Sequence, residues 1–523
     1  MINLKSSSLS SQKCFFLALL ALLSILCNPT FSSAQETTYD FENDDTWSQC
    51  NCPSSTSSST KHNHAKMAYL ITVHNRRTIH DGAYLLKSLI ETSHHPDNTA
   101  VILIHVDHRV GIANPATVPK NETLKDQSLY HESPLRRYVD ACLANSCVRG
   151  HNNNSGAHHD QETNNSNSVL LEVHSHFEPK WGQWSMNAPT LWAMEYLLYH
   201  PHFHHNHHPN LRLGSTIVSD TNNPSWDVFI NLSGDTLPVI SAQRISQLFH
   251  PTHGPLGNTN FVTSSSCATG LVPTSIFDFP KGTMKRSHYF QHGIPKKLTF
   301  IDTLSGEWRV DVEIPIYFGS QWMALTHEFV EYTIRSMSHP NGLGNVLKET
   351  LIRTEVLMTD ESFFATLLMN SPFKDTIPKV NSDDGSLINY PSIQSLRYER
   401  MDENAPNAWN KWTSSNSLYD IPPKFKSVTD GEGPSKPWGP YFLGLYDLGD
   451  IKDSGALFIR KVSWSVDENL VRMLPVVLSR DEESGGMLTE WDVLPDIRWP
   501  KNGVNIKEPF VWSYEEEVEE VKK

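Results

Sequence analysis

Two adjacent carboxylates, Asp360 and Glu361, stand directly before an apolar, helix-patterned run in TDESFFATLLMNSPF (359–373). Acids that open a helix lie near its positive end, which keeps them ionised and aimed outward, and such a carboxylate is suited to general-base work. The plainer reading of the pair is a first turn that only complements the helix dipole. A second candidate is the turn Ser233, Gly234, Asp235, which follows the buried-strand pattern VFINL in WDVFINLSGDTLP (226–238). An Asp-x-Asp pair in such a turn would hold a divalent cation against a diphosphate. Position 233 is Ser, and a single carboxylate is a poor Mg2+ or Mn2+ site. No metal is therefore expected, and side chains would have to meet any diphosphate charge. Asp107 is a third candidate, ending the strand pattern AVILIHVD (100–107). An acid there can hydrogen-bond a ribose hydroxyl or merely cap a turn. Histidines crowd YHPHFHHNHHP (199–209). A loop studded with Pro and Asn offers neither the fixed geometry nor the supporting hydrogen bonds of a zinc site, so a low-complexity surface loop accounts for them better.

The elements that must position these residues alternate in type. MAYLITVHN (67–75) has the pattern of a buried parallel strand, 83–90 places Tyr84, Leu85 and Leu89 on a helical face, and AVILIHVD is the next strand. A strand, helix, strand unit opens a doubly wound α/β sheet, mostly parallel with flanking helices, whose ligands bind beyond the carboxyl ends of the strands. A further strand is expected over 169–173, followed by a helix N-capped by Asn187, with Pro189 in its first turn and Leu191, Met194 and Leu198 facing a core. FGSQW, which carries Gly319 and Trp322, opens a loop before the helix pattern THEFVEYTI, where Glu328 and Glu331 fall on a solvated face. The sequence has no GxGxxG or GxxxxGK[ST], which argues against the usual dinucleotide and P-loop sites. Residues 111–167, with their Asn and His tracts, read as an irregular insertion.

A chain of 523 residues implies one large domain with insertions or two joined domains. With 43 Lys plus Arg against 58 Asp plus Glu, the net charge of −15 argues against nucleic acid as a partner. A Ser-rich leader precedes CFFLALLALLSILC (14–27), which is signal-peptide length and short of the ~20 residues that span a typical bilayer. Residues 1–34 are thus expected to be a signal peptide or short signal anchor, the only part to meet a membrane. A flexible stem is expected over 35–66, the body over 67–486, and an extension with an acidic tail over 487–523. Of Cys50, Cys52, Cys142, Cys147 and Cys267, an odd set, Cys142 and Cys147 could close a small loop. Sequons at Asn121, Asn153 and Asn164 lie in polar stretches and suit glycosylation, whereas the one at Asn231 lies in a strand pattern and is expected to stay unmodified.

Taken in order, YLITVHN with LIHVD, WGQWSM, WDVFINLSGDTLP, FGSQWMALTHEFVEYTI, TDESFFATLLMNSPF and SGALFIRKV resemble the family 14 glycosyltransferases. That family comprises the core-2/I-branching β-1,6-N-acetylglucosaminyltransferases, the peptide O-xylosyltransferases and plant glucuronosyltransferases. The resemblance covers roughly 67–474, and its ESFF…NSP stretch leans toward the xylosyltransferases.

The resemblance implies a GT-A-type Rossmann-like fold, a luminal place in the Golgi or secretion, and metal-independent inversion with a UDP-sugar as co-substrate. The acceptor would be a hydroxyl of a glycan or glycoprotein. It puts the catalytic glutamate at Glu361 and the diphosphate-binding base at Lys461, with Arg460 beside it. Asp107 becomes the acid that contacts uridine, and Val73 and His74 end the first strand near the base. Asp235, Asp360 and Trp322 would lie on the substrate side, Trp322 either stacking on a pyranose or serving as core. The chain departs from the family in its His- and Asn-rich insertions and in its unmatched end beyond 487. A secreted homologue that binds glycan or nucleotide without turnover is the competing class; it predicts loss of Glu361 or Lys461, and both are present.

Overall fold

A computed structural model describes residues 47–51, 64–92, 99–110, 129–145, 148–149, 169–180, 182–199, 226–266, 297–300, 310–313, 317–340, 342–353, 359–381, 387–388, 396–399, 440, 442–472, 474 and 497–498. The leader 1–34, the sequons at Asn121, Asn153 and Asn164, the His tract after Tyr199, Cys147 and the acidic tail lie outside them. In chain order, the elements that position the site are β1 (Met67–Val73), α1 (Arg76–Glu91), β2 (Thr99–Val106), α2 (Pro134–Leu143), β3 (Val148–Arg149), β4 (Val169–His174), α3 (Ala188–Tyr199), β5 (Val228–Ser233), β6 (Thr236–Pro238), β7 (Ala324–Thr326), α4 (His327–Ser338), α5 (Phe363–Met369), β8 (Arg397–Glu399) and β9 (Phe458–Arg460).

The main sheet has six strands in the order β7-β5-β1-β2-β4-β3. All its pairings are parallel except β7 against β5. Successive strand residues face opposite sides, and β1 shows the consequence. Met67, Tyr69, Ile71 and Val73 join one core with α1 residues Ala83, Leu86 and Leu89 and α2 residues Leu135 and Tyr138. Ala68 and Leu70 join a second core with Met194 of α3, Phe329 of α4 and Phe363 of α5. A sheet buried on both faces by helices is the doubly wound α/β arrangement expected from the alternating pattern.

Three expectations are corrected. The insertion over 111–167 contains α2 and β3, with α2 started by Ser133, whose side chain accepts from the Arg136 amide, and by Pro134 in the first turn. The stem over 35–66 is packed on the body in its described parts. Trp47 is 1% exposed, its ring 4.8 Å from Tyr84 and 6.1 Å from Tyr138, and the Ala65 amide donates to Ser246 O at 2.9 Å. Cys142 pairs with Cys50, not Cys147, across a Cα separation of 5.0 Å. The Asn145 side-chain amide, bonded to Cys50 O at 2.9 Å, holds the two segments together.

Smaller shifts have local causes. Helix α1 begins at Arg76, earlier than 83, because Asn75 and Thr78 form a capping box. Asn187 precedes α3 as expected, and its carbonyl accepts the Leu191 amide at 2.9 Å. Its side-chain amide, however, donates to Thr359 Oγ1 at 3.1 Å. Asn231 is 3% exposed in the middle of β5, in keeping with an unmodified sequon. None of the described helices is long and apolar enough to cross a membrane.

Candidate functional site

The carboxyl ends of β1 and β5 meet a second, three-stranded sheet in the order β8-β9-β6. Strand β9 runs antiparallel to β6, pairing Arg460 with Thr236, and the Val462 amide donates to Asp235 O at 2.9 Å. Arg460 and Lys461 are thereby delivered to the Ser233-Gly234-Asp235 turn from far along the chain. Gly234 is required there: a Cβ would lie 2.0 Å from Thr78 O in the first turn of α1. That close approach brings Arg77 over the same turn.

Asp235 is 2% exposed. Arg77 Nη2 lies 3.0 Å from its Oδ2 and Arg460 Nε lies 3.4 Å from its Oδ1. The Ser233 hydroxyl donates to Oδ1. Burial alone would raise the Asp235 carboxyl, but Arg460, then Arg77 and Lys461, and then the Ser233 hydroxyl outweigh it and hold the group far below the usual carboxylate range. Burial likewise works against the Arg460 charge, and Asp235 and Glu399 overcome it and raise that pKa. Arg460 Nη1 donates to Glu399 Oε1 at 3.1 Å and Nε to Ser233 Oγ at 3.2 Å. At position 233, where a first carboxylate would have faced a metal, a hydroxyl faces a guanidinium.

Two aromatic rings organise the cations. Arg77 sits 4.7 Å and Lys461 Nζ 5.8 Å from the Phe442 centroid. Arg460 lies 4.8 Å and Arg397 5.7 Å from the Trp322 centroid. Trp322 is 6% exposed, so its ring is engaged by protein cations, and a sugar stacking on it would have to share it with Arg460. Arg397 is fully buried, which lowers its pKa to about 9, and it donates to Asn231 O.

Asp360 and Glu361 occupy a 3-10 turn, Thr359–Glu361, ahead of α5. Asp360 is buried and Glu361 half-buried, so the two do not stand outward as the opening turn of an α-helix would leave them. The turn is tied to the Trp322 loop by the Gly319 amide, which donates to Glu361 O at 2.7 Å. Gly319 is the second required glycine, since a Cβ there would lie 1.6 Å from Thr263 O. The other end of the loop is fixed by Asn231, whose side chain donates to Gln321 O at 2.8 Å and accepts the Met323 amide at 2.7 Å. One loop thus links the Glu361 turn to the ring under Arg460.

Asp107, Val73 and His74 come together at the ends of β1 and β2, where the Asp107 amide donates to Val73 O at 2.8 Å. His74 is exposed. Asp107 is buried and forms a two-pronged pair with Arg109, at 3.0 Å from Nε and 2.5 Å from Nη2, and also accepts the Arg109 amide at 3.0 Å. It therefore caps the turn after β2, the plainer of its two sequence readings. Arg109 is about half exposed in its side chain, at 51%.

Sequence reasoning missed Arg77, Arg397, Glu399 and Phe442. The Asn75-x-x-Thr78 capping box was a readable signal that would have placed Arg77 in a first helical turn beside a strand end. The others carry no local signature.

A doubly wound sheet whose strand ends gather arginines and a lysine around one buried aspartate, beside a turn carrying a half-buried glutamate, defines an α/β protein suited to an anionic ligand. Residues 218–383 match the model of the Branch family, described as Core-2/I-Branching enzyme. That match supports a glycosyltransferase reading and agrees with the sequence resemblance. Comparison with curated proteins finds no match. The matched span contains Asp235, Trp322, Asp360 and Glu361, while Val73, His74, Arg77, Asp107, Arg460 and Lys461 lie outside it.

Proposed function

We propose that the chain is an inverting, metal-independent glycosyltransferase of GT-A type that moves a sugar from a UDP-sugar to a hydroxyl of a glycan or glycoprotein in the secretory pathway. The observation that carries the reading is the Arg460 guanidinium standing against Ser233 and Asp235, with Lys461 next to it, on a chain with a Branch domain. Fixed cations aimed at a leaving diphosphate supply what a divalent ion supplies elsewhere.

In this reading the uridine lies at the ends of β1 and β2, near Val73, His74 and Asp107. Arg109 would have to yield or share Asp107, and its exposed side chain can do so. The acceptor hydroxyl attacks the anomeric carbon while Glu361 takes its proton. The sugar passes through an oxocarbenium-like state, the carbon–oxygen bond to the diphosphate breaks, and UDP leaves with the bond's electron pair against Lys461 and Arg460. Asp235 holds Arg460 in place, and Asp360 and Trp322 line the acceptor side. Transfer of xylose or of N-acetylglucosamine fits this chemistry equally.

The test is UDP release from a panel of UDP-sugars by the purified protein, in EDTA, with wild type and Glu361→Gln. Release from one donor that survives EDTA and disappears in the variant supports the reading and names the sugar. Binding of UDP without turnover of any donor, across glycan acceptors, would favour the non-catalytic homologue. Release that EDTA abolishes would refute metal independence.

A further inference from the structure

We infer that Arg77, in the first turn of α1, is a further ligand of the donor diphosphate, closing the anion site from the β1 side. The inference rests on the transferase reading above. Arg77 and Lys461 share one aromatic wall, at 4.7 and 5.8 Å from the Phe442 centroid, although they stand at opposite ends of the body. A ring that carries two like charges holds them near each other and partly dehydrated, an arrangement that an anion between them would stabilise.

Neutralising Asp235 does not by itself explain Arg77. Asp235 also has Arg460 at 3.4 Å and the Ser233 hydroxyl, and its carboxyl is held far below the usual range with Arg460 the larger cationic contributor. Among the described residues, Arg77, Arg397, Arg460 and Lys461 are cations near the turn and Asp81, Asp235 and Glu399 carboxylates, and Arg77 lies 3.5 Å from Asp81 as well as 3.0 Å from Asp235. Arg77 is also the basic group that the Gly234 close approach sets over the turn, and a planar guanidinium matches phosphate oxygens in pairs.

Binding of uridine, UMP and UDP is measured calorimetrically for wild type, Arg77→Met, Arg77→Lys, Asp235→Asn and the double variant Arg77→Met/Asp235→Asn. The double variant removes the cation together with its buried carboxylate charge, so it reports on Arg77 even where the single variant folds poorly. The expected result is that UDP weakens about tenfold relative to uridine in Arg77→Met, and in the double variant compared with Asp235→Asn, about 1.4 kcal/mol. Uridine itself stays within about twofold, and Arg77→Lys falls between wild type and Arg77→Met. A UDP-to-uridine ratio that is unchanged by loss of Arg77, or an equal loss for all three ligands, overturns the inference and leaves Arg77 a structural partner of Asp235. Wild-type protein that binds UDP no better than uridine overturns the transferase reading itself, and the inference with it.

Discussion

On the proposed reading, Glu361 acts on the incoming hydroxyl and Lys461 on the departing diphosphate, so loss of either should lower turnover while only loss of Lys461 should also weaken UDP. Glu361→Gln keeps shape and hydrogen bonding while removing the base. Turnover should fall about a hundred- to ten-thousandfold with UDP affinity unchanged. Lys461→Met should lower kcat about a hundredfold or more and weaken UDP, with the melting temperature near wild type. Arg460→Met is different because Arg460 is paired inside the protein, with Asp235 and Glu399. Losing one partner of a buried pair costs about 3–5 kcal/mol, so this variant should show a lowered midpoint in denaturant as well as lost rate. An Arg460 variant of wild-type stability would show that the cluster is not the coupled unit described above.

Among the elements, β2 carries a titration that the fold must accommodate. His105 is 1% exposed, its Nε2 accepts the Phe177 amide at 3.3 Å, and burial lowers its pKa to about 4. The unfolded chain takes a proton on this residue near pH 6.5 and the folded chain does not. Stability should therefore rise with pH between about 4 and 6.5 and be lost as the pH falls through that window. The whole effect is at most about 3 kcal/mol. His105→Gln should flatten this part of the stability profile in urea titrations between pH 4 and 7; an unchanged profile would assign the dependence elsewhere. The turn between β5 and β6 is equally constrained, and Gly234→Ala, which drives a methyl into Thr78 O, should reduce soluble yield and lower the melting temperature.

The strands were legible because each is buried on both faces and so reads as a continuous apolar run, as in MAYLITV and VFINLS. The Asp107 turn was legible too, since its partner Arg109 is only two residues away. Helix α2 lies close to Asn and His tracts that carry no periodicity, and Ser133-Pro134, an ordinary helix start, is its one local signal. The Cys50–Cys142 link and the joining of Arg77, Asp235 and Arg460 leave no trace in local spacing. The first joins a segment ahead of β1 to helix α2, and the second depends on pairing β9 with β6, a decision no short segment of sequence records.

At the scale of the whole molecule, the segment around Trp47 is fastened to α1 and α2 by aromatic packing and by a disulfide spanning 92 residues. Cutting that link by Cys50→Ser should destabilise the protein by about 2–5 kcal/mol. Thermal unfolding with and without reductant checks this, the two curves converging only in the variant.

The proposed anion site draws its basic groups from positions 77 and 460–461, with β2, β4 and β5 between them in sequence. During synthesis from the N-terminus, the sheet can assemble hundreds of residues before Arg460 leaves the ribosome. A nascent chain can thus hold the six-stranded sheet, the Glu361 turn and the Trp322 loop while β9, which pairs with β6 beside Asp235, is still missing. On the proposed reading, the catalyst becomes armed only with the arrival of one short, late-made strand.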